Sequence, residues 1–245
     1  MDFRVVIYAA VIWMLCFPAY GKALKSAVSP DFPKGLHYYY LKYIEAKLGD
    51  GSTIEISQMP FARRLYSLES GAIDLMVGLQ AGREGNFTYL FPGYESLKHT
   101  LYVRRENVNQ INSKEALYHA VIAFTRQGRY SDTLLSMPEA FQINVESLDQ
   151  KVAMLMRSRI DGFVHFSGSA AAIIEASGLQ NDIVESRYQP EHAHNFHVGI
   201  RKNLSPQLQA KLTRIITEGL AAGDFAHIRT AYYSENQSVQ IASFK

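Results

Sequence analysis

Hydrophobic and polar positions alternate in two regimes along the chain, one of period two and one of helical spacing, and the regimes take turns. Residues 23–28 read as a strand that runs into the turn Ser29-Pro30-Asp31-Phe32-Pro33. Tyr40, Ile44 and Leu48 lie four apart, which predicts a helix over 36–48 that Gly49-Asp50-Gly51 stops. A strand over 53–56, a helix over 61–68 ended by Gly71, and an apolar strand over 73–77 follow. A short strand over 101–103 then gives way to a polar run, 104–112. A second block repeats the alternation. It has strands over 120–124, 142–145 and 160–163, and helices over 131–135, 148–156 and 170–176. Between the first strand and helix of this block lies the turn Gln127-Gly128-Arg129-Tyr130. A strand over 196–201 precedes Ser205-Pro206, a cap-and-start pair for a long amphipathic helix over 207–220, and a last helix covers 224–232. Alternating strands and helices predict an α/β fold, and two such blocks predict two lobes.

The first residues depart from this pattern. One arginine, Arg4, precedes Val5 to Phe17, 13 residues without a charged or strongly polar side chain. At 1.5 Å per residue the run spans about 20 Å, short of a bilayer's ~30 Å core. Pro18 and the small residues Ala19 and Gly21 follow, which makes residues 1–21 a secretory signal peptide cut near Gly21 and marks the mature protein for export. The single Cys, Cys16, and the single Trp, Trp13, leave with that segment. The mature chain is then thiol-free, with no disulfide and no cysteine metal site. Removing Arg4 and Asp2 from 25 basic and 23 acidic residues leaves 24 against 22, a near balance that gives no general field for nucleic acid and no polybasic membrane signal. No internal repeat, low-complexity tract or long linker stands out.

Three segments carry a resemblance. They are Met59-Pro60-Phe61-Ala62-Arg63-Arg64-Leu65 with Gly71-Ala72-Ile73-Asp74-Leu75; Leu148 to Phe163, ending Arg159-Ile160-Asp161-Gly162-Phe163; and Phe196 to Lys202 with Leu208 to Leu220, Gly223-Asp224-Phe225 and Tyr232-Tyr233. Their order resembles the type 2 periplasmic solute-binding proteins, bacterial extracellular solute-binding family 3, in the branch of amino-acid ABC-importer subunits. The resemblance implies an α/β two-lobed periplasmic-binding-protein fold, each lobe a mixed sheet flanked by helices, joined by two hinge crossings near 101–103 and 196–198. Lobe one would comprise 22–100 plus 199–245, and lobe two 101–198. The implied protein is a monomer that hands a small solute to an inner-membrane permease or sensor, with no cofactor and no metal.

The resemblance also implies site residues. Arg83 occupies the place of an arginine that forks onto the ligand carboxylate, a task suited to a permanently charged planar group. His165 stands where relatives that bind α-amino acids carry an ammonium-binding carboxylate. A neutral imidazole cannot supply that charge, so the expected cargo is a small polar or anionic solute, amino-acid-like or an organic acid. Gly128, Arg129 and Tyr130 occupy a strand-to-helix turn that offers N–H groups and positive charge. Ser167 accompanies His165, and Phe32, Phe61 and Tyr94 are the aromatic candidates. Two other classes stand beside this one. An enzyme on the same scaffold would need a cleft acid or base, with Glu84, Glu95 or His165 the nearest, yet no nucleophile–base pair or phosphate loop appears. A partner-binding protein with a vestigial cleft would show a filled cleft and a large exposed apolar patch. The histidines of 190–197 invite a metal, and His192 and His194 would share one face of an extended segment, but the sequence shows no third ligand or second shell for one.

Overall fold

The computed structural model describes residues 23–242, so the signal-peptide segment lies outside the described residues. Lobe one begins with β1 (Ala23–Val28), α1 (Leu36–Leu48), β2 (Thr53–Gln58), α2 (Phe61–Glu69) and β3 (Leu75–Gln80). A long strand follows, β4 (Phe87–Arg104). Lobe two then supplies α3 (Lys114–Leu117), β5 (Ile122–Thr125), α4 (Asp132–Leu135), β6 (Gln142–Val145) and α5 (Leu148–Met156). It continues with β7 (Gly162–Phe166), α6 (Ser167–Ala176) and β8 (Ile183–Glu185). The chain returns through β9 (Ala193–Arg201) to α7 (Pro206–Ala221) and α8 (Asp224–Ala242). Both sheets are flanked by helices: β1 and β2 pair in parallel, and seven strands form a mixed sheet ordered β3-β9-β4-β7-β5-β6, with β8 on β4.

The long strand β4 runs from one lobe into the other. Residues 87–98 of β4 pair with β9, whereas His99 to Arg104 pair with β7 and β8. The chain thus changes neighbours between Lys98 and His99, and Phe196 and Val198 on β9 pack in the first lobe's core. The sequence pattern showed only 101–103 of β4. Pro92 and Gly93 break the periodicity there, and the pairing with β9 shifts register between Leu90 and Glu95, so the strand survives only as a bulged ribbon.

Period-two alternation sorts the second lobe's sheet into two cores. Leu101, Val103, Ile122, Phe124 and Val164 face one way, and Tyr102, Ala123 and Phe163 face the other. The two Ile-Asp units perform the same structural task. Asp74 accepts the backbone N–H of Lys25 at 2.8 Å and Asp161 that of Val121 at 2.8 Å. Each aspartate's own N–H returns to the same residue's carbonyl at 2.8 Å. These carboxylates lock strand starts and do not reach the cleft, which explains why the motif recurs once per lobe. In α7, the Ser205 hydroxyl accepts the N–H of Leu208, as Ser-Pro predicted. Ser205→Ala should cost about 1 kcal/mol, read as a lowered urea midpoint at unchanged m-value.

Candidate functional site

The loops at the carboxyl ends of β1, β3, β5 and β7 converge on a cavity of about 190 Å³ between the lobes. Eight of the nine residues singled out from the sequence line it: Phe32, Phe61, Arg83, Gly128, Arg129, Tyr130, His165 and Ser167. Tyr94 does not. Its ring is packed in the first lobe between Tyr40 and Phe225, with centroids 5.2 and 5.3 Å away. Among the three acid–base candidates, Glu95 and His165 line the cavity and Glu84 is exposed outside it.

The two arginines expected to face a ligand face each other's lobes instead. Arg83 donates from Nη2 to the Gln127 carbonyl and from Nη1 to its Oε1 at 3.4 Å. Arg129 donates from Nη1 to the Gly82 carbonyl. Each arginine thus bonds the loop that carries, or adjoins, the other. Gln127 presents its carbonyl from a left-handed conformation, φ 61°. Burial lowers the Arg83 pKa, and the neighbouring Arg129 charge lowers it further. A third contact spans the cleft: Asp31 accepts the N–H of Leu148, the first residue of α5, at 2.9 Å. There the carboxylate meets the positive end of the helix. Phe32 packs against the second lobe's core from the same loop.

The inner wall holds groups that sequence reasoning passed over. Arg64 on α2 is 5% exposed, and its Nε and Nη1 have no hydrogen-bond partner among the described residues. Its guanidinium lies 5.5 Å from the Phe61 ring centroid, and burial pushes its pKa down to about 10. Helical spacing carried the signal: Phe61, Arg64, Leu65 and Leu68 share one stripe, while Arg63 points outward. His37 packs where a Cβ on Gly78 would fall 2.4 Å from its ring, and Gly78 itself has φ 85°. Burial and the Arg64 charge hold His37 down to about 3. His99 stacks on Phe166 at 4.2 Å, its Nδ1 is unpartnered, and burial with the Lys151 charge holds it down to about 3 as well. His165 is lowered for the same two reasons.

Lys151 lies behind this wall, fully buried, donating to Thr125 Oγ1 at 2.8 Å and the Val164 carbonyl at 2.7 Å; burial lowers it to about 7. Glu95 accepts Arg229 Nη1 at 3.0 Å and the Tyr40 hydroxyl at 3.2 Å, and its Oε2 is unpartnered. The last helix reaches the cavity through Tyr232 and Tyr233, and the Tyr233 hydroxyl crowds Gly168 at the start of α6. The histidine run settles into β9 without a metal-like cluster: His194 bonds Glu191 at 3.3 Å, and no group of three candidate ligands occurs among the described residues.

Two α/β lobes, a mixed sheet shared through a pair of long strands, and a cavity between the lobes define the periplasmic-binding-protein class. The chain belongs to the bacterial extracellular solute-binding proteins, family 3, whose model matches residues 26–235. Similar solved structures include a mutant of ArgBP from T. maritima, at 18% identity and a TM-score of 0.74, covering 86% of this chain and 95% of that one. An amino acid ABC transporter substrate-binding protein, AbpA, from Streptococcus pneumoniae, bound to L-arginine, has 17% identity and a TM-score of 0.73, with 87% and 95% covered. A histidine kinase sensor domain with similarity to periplasmic binding proteins has 16% identity and a TM-score of 0.74, with 87% and 96% covered. No curated protein matches the sequence. No helix among the described residues is long and apolar enough to cross a membrane.

Proposed function

We propose that this protein is a periplasmic solute-binding protein, exported by the signal peptide in residues 1–21, that captures a small polar or anionic solute as a monomer. It delivers that solute to an inner-membrane ABC permease or a sensor, and it binds rather than transforms its cargo. The observation that carries the reading is the interlobe cavity, walled by both lobes and bridged by Arg83, Arg129 and Asp31. Cavity closure by hinge motion at the two strand crossings, between lobe one (22–100 with 199–245) and lobe two (101–198), gives the bound and free forms different shapes for a membrane partner to read.

Binding without chemistry fits the titratable groups on the wall. His37, His99 and His165 are neutral far below physiological pH, and Glu95 is tied to Arg229 and Tyr40. None is a base poised near pH 7 within the cavity. The test is a melting-temperature screen of protein stripped of cargo, against amino acids, organic acids, peptides and polyamines. A true cargo raises Tm in step with ln(1 + [L]/Kd) and compacts the protein in small-angle scattering. A full screen without a hit would sink the binding reading, and turnover of a hit would convert it to an enzyme.

A further inference from the structure

Resting on the solute-binding reading, we infer that Arg64 is the receptor for an acidic group on the cargo, and that the cavity selects anionic solutes over their neutral and cationic analogues. A buried cation without partners carries a large desolvation cost that folding alone gives no reason to bear. Arg64 is such a cation: it lies on the apolar stripe of α2, lines the cavity, and forms no ion pair among the described residues. Arg83 and Arg129 do not share this state, since the opposite lobe's carbonyls already occupy them.

No carboxylate on the wall forms an ion pair or hydrogen bond with Arg64 among the described residues, although Asp31 lies within electrostatic reach. Of the acidic lining residues, Glu95 is paired with Arg229 and Glu146 with Arg126 at 2.6 Å. Asp31 spends an oxygen on the Leu148 N–H, and its charge is shared between the buried Lys151 and Arg64. The imidazoles of His37, His99 and His165 add hydrogen bonding without charge. Arg83, Arg129 and Lys98 line the cavity as well, without an ion pair among the described residues, so the wall carries an excess of positive charge, and Arg64 is its one deeply buried cation; an acidic group on the solute offsets that excess. The unpartnered Glu95 Oε2 can accept an N–H from the same solute, while the unpartnered His99 Nδ1 and the Phe61 ring beside Arg64 provide for its uncharged part. An arginine cargo, as in AbpA, would bring further positive charge beside Arg64 and is selected against.

Refolded, cargo-free mature protein tests this with matched probes. These are L-glutamate against L-glutamine, butanoate against butanamide, and L-arginine. Calorimetry should show at least one anion binding ten-fold or more tighter than its amide, and L-arginine weakest of all. Arg64→Gln should erase the preference for the anion, and Arg64→Lys should restore part of it. Arg64→Met should also raise the Tm of the cargo-free protein, by roughly 3–10 °C, because it removes a buried charge without a partner. A role in packing alone predicts a fall instead. The inference is overturned if Arg64→Gln binds the anion as the wild type does, or if cargo-free Arg64→Met melts lower. If only neutral or cationic solutes bind, the anion receptor fails while solute binding stands. If no probe and no solute of the wider screen shifts Tm, both fail together.

Discussion

Acidification from pH 7.5 to 5 should remove on the order of 3–5 kcal/mol of folding stability, read as a fall in the urea midpoint. His37 and His99 have folded pKa values of about 3 against an ordinary 6.5, and His165 is lowered in the same direction. The unfolded chain therefore binds protons below pH 6.5 that the folded chain refuses. Stability is intact above 6.5 and drains as pH falls through it. At pH 5 the deficit is about 1.5 units, so each fully buried histidine costs about 2 kcal/mol. His99 is 6% exposed and should contribute in full, whereas His37 and His165 keep some surface toward the cavity and contribute less. Glu95 and Asp31, raised by burial, act oppositely and trim the total. Lys151, lowered to about 7, is the mirror case: the unfolded lysine keeps its proton up to about 10.5, so stability should go on rising between pH 7 and 9. His99→Gln should flatten the acid limb. A midpoint unchanged between pH 7.5 and 5 would show that these imidazoles are not held neutral.

The sequence disclosed the fold because each level agreed with the next. The first strand and helix stand where the periodicity put them, 23–28 and 36–48, and the Ile-Asp units mark equivalent strand starts in both lobes. It disclosed much less of how the cavity works. Lining residues could be placed because loops at strand ends follow from element order. Their partners could not, since Arg83 meets Gln127 and Arg129 meets Gly82 across 44 and 47 residues. Arg64 looked like half of an ordinary Arg-Arg pair, and only its position on the stripe with Phe61 and Leu68 separates it from Arg63. Tyr94 shows the converse. The sequence makes it an aromatic candidate for the cleft, but the segment after Pro92-Gly93 belongs to β4 and turns the ring into the core.

Replacing both bridging arginines, Arg83→Ala with Arg129→Ala, should weaken solute binding by roughly 30–100-fold and leave the fold intact. Each removes a charge-assisted hydrogen bond to a backbone carbonyl of the other lobe. Such bonds reach about 1.5–3 kcal/mol when buried, and the solvent at this cavity mouth reduces that to about 1–1.5 kcal/mol each. Two arms acting on the same closing equilibrium sum to about 2–3 kcal/mol, which is the stated loss in affinity. The loss should appear as faster release, because a cleft that reopens more often frees its solute sooner. Asp31 and Phe32 would still cross the cleft, so closure is weakened and not abolished. The two single variants separate this role from direct contact with cargo. Arms of one closing device should each cost part of the loss and show less than additive effects once the open form dominates. If Arg83→Ala alone eliminates binding of a carboxylate and Arg129→Ala changes nothing, then Arg83 grips the solute, as its place in the family pattern implies. The cross-lobe contacts would in that case be incidental to closure.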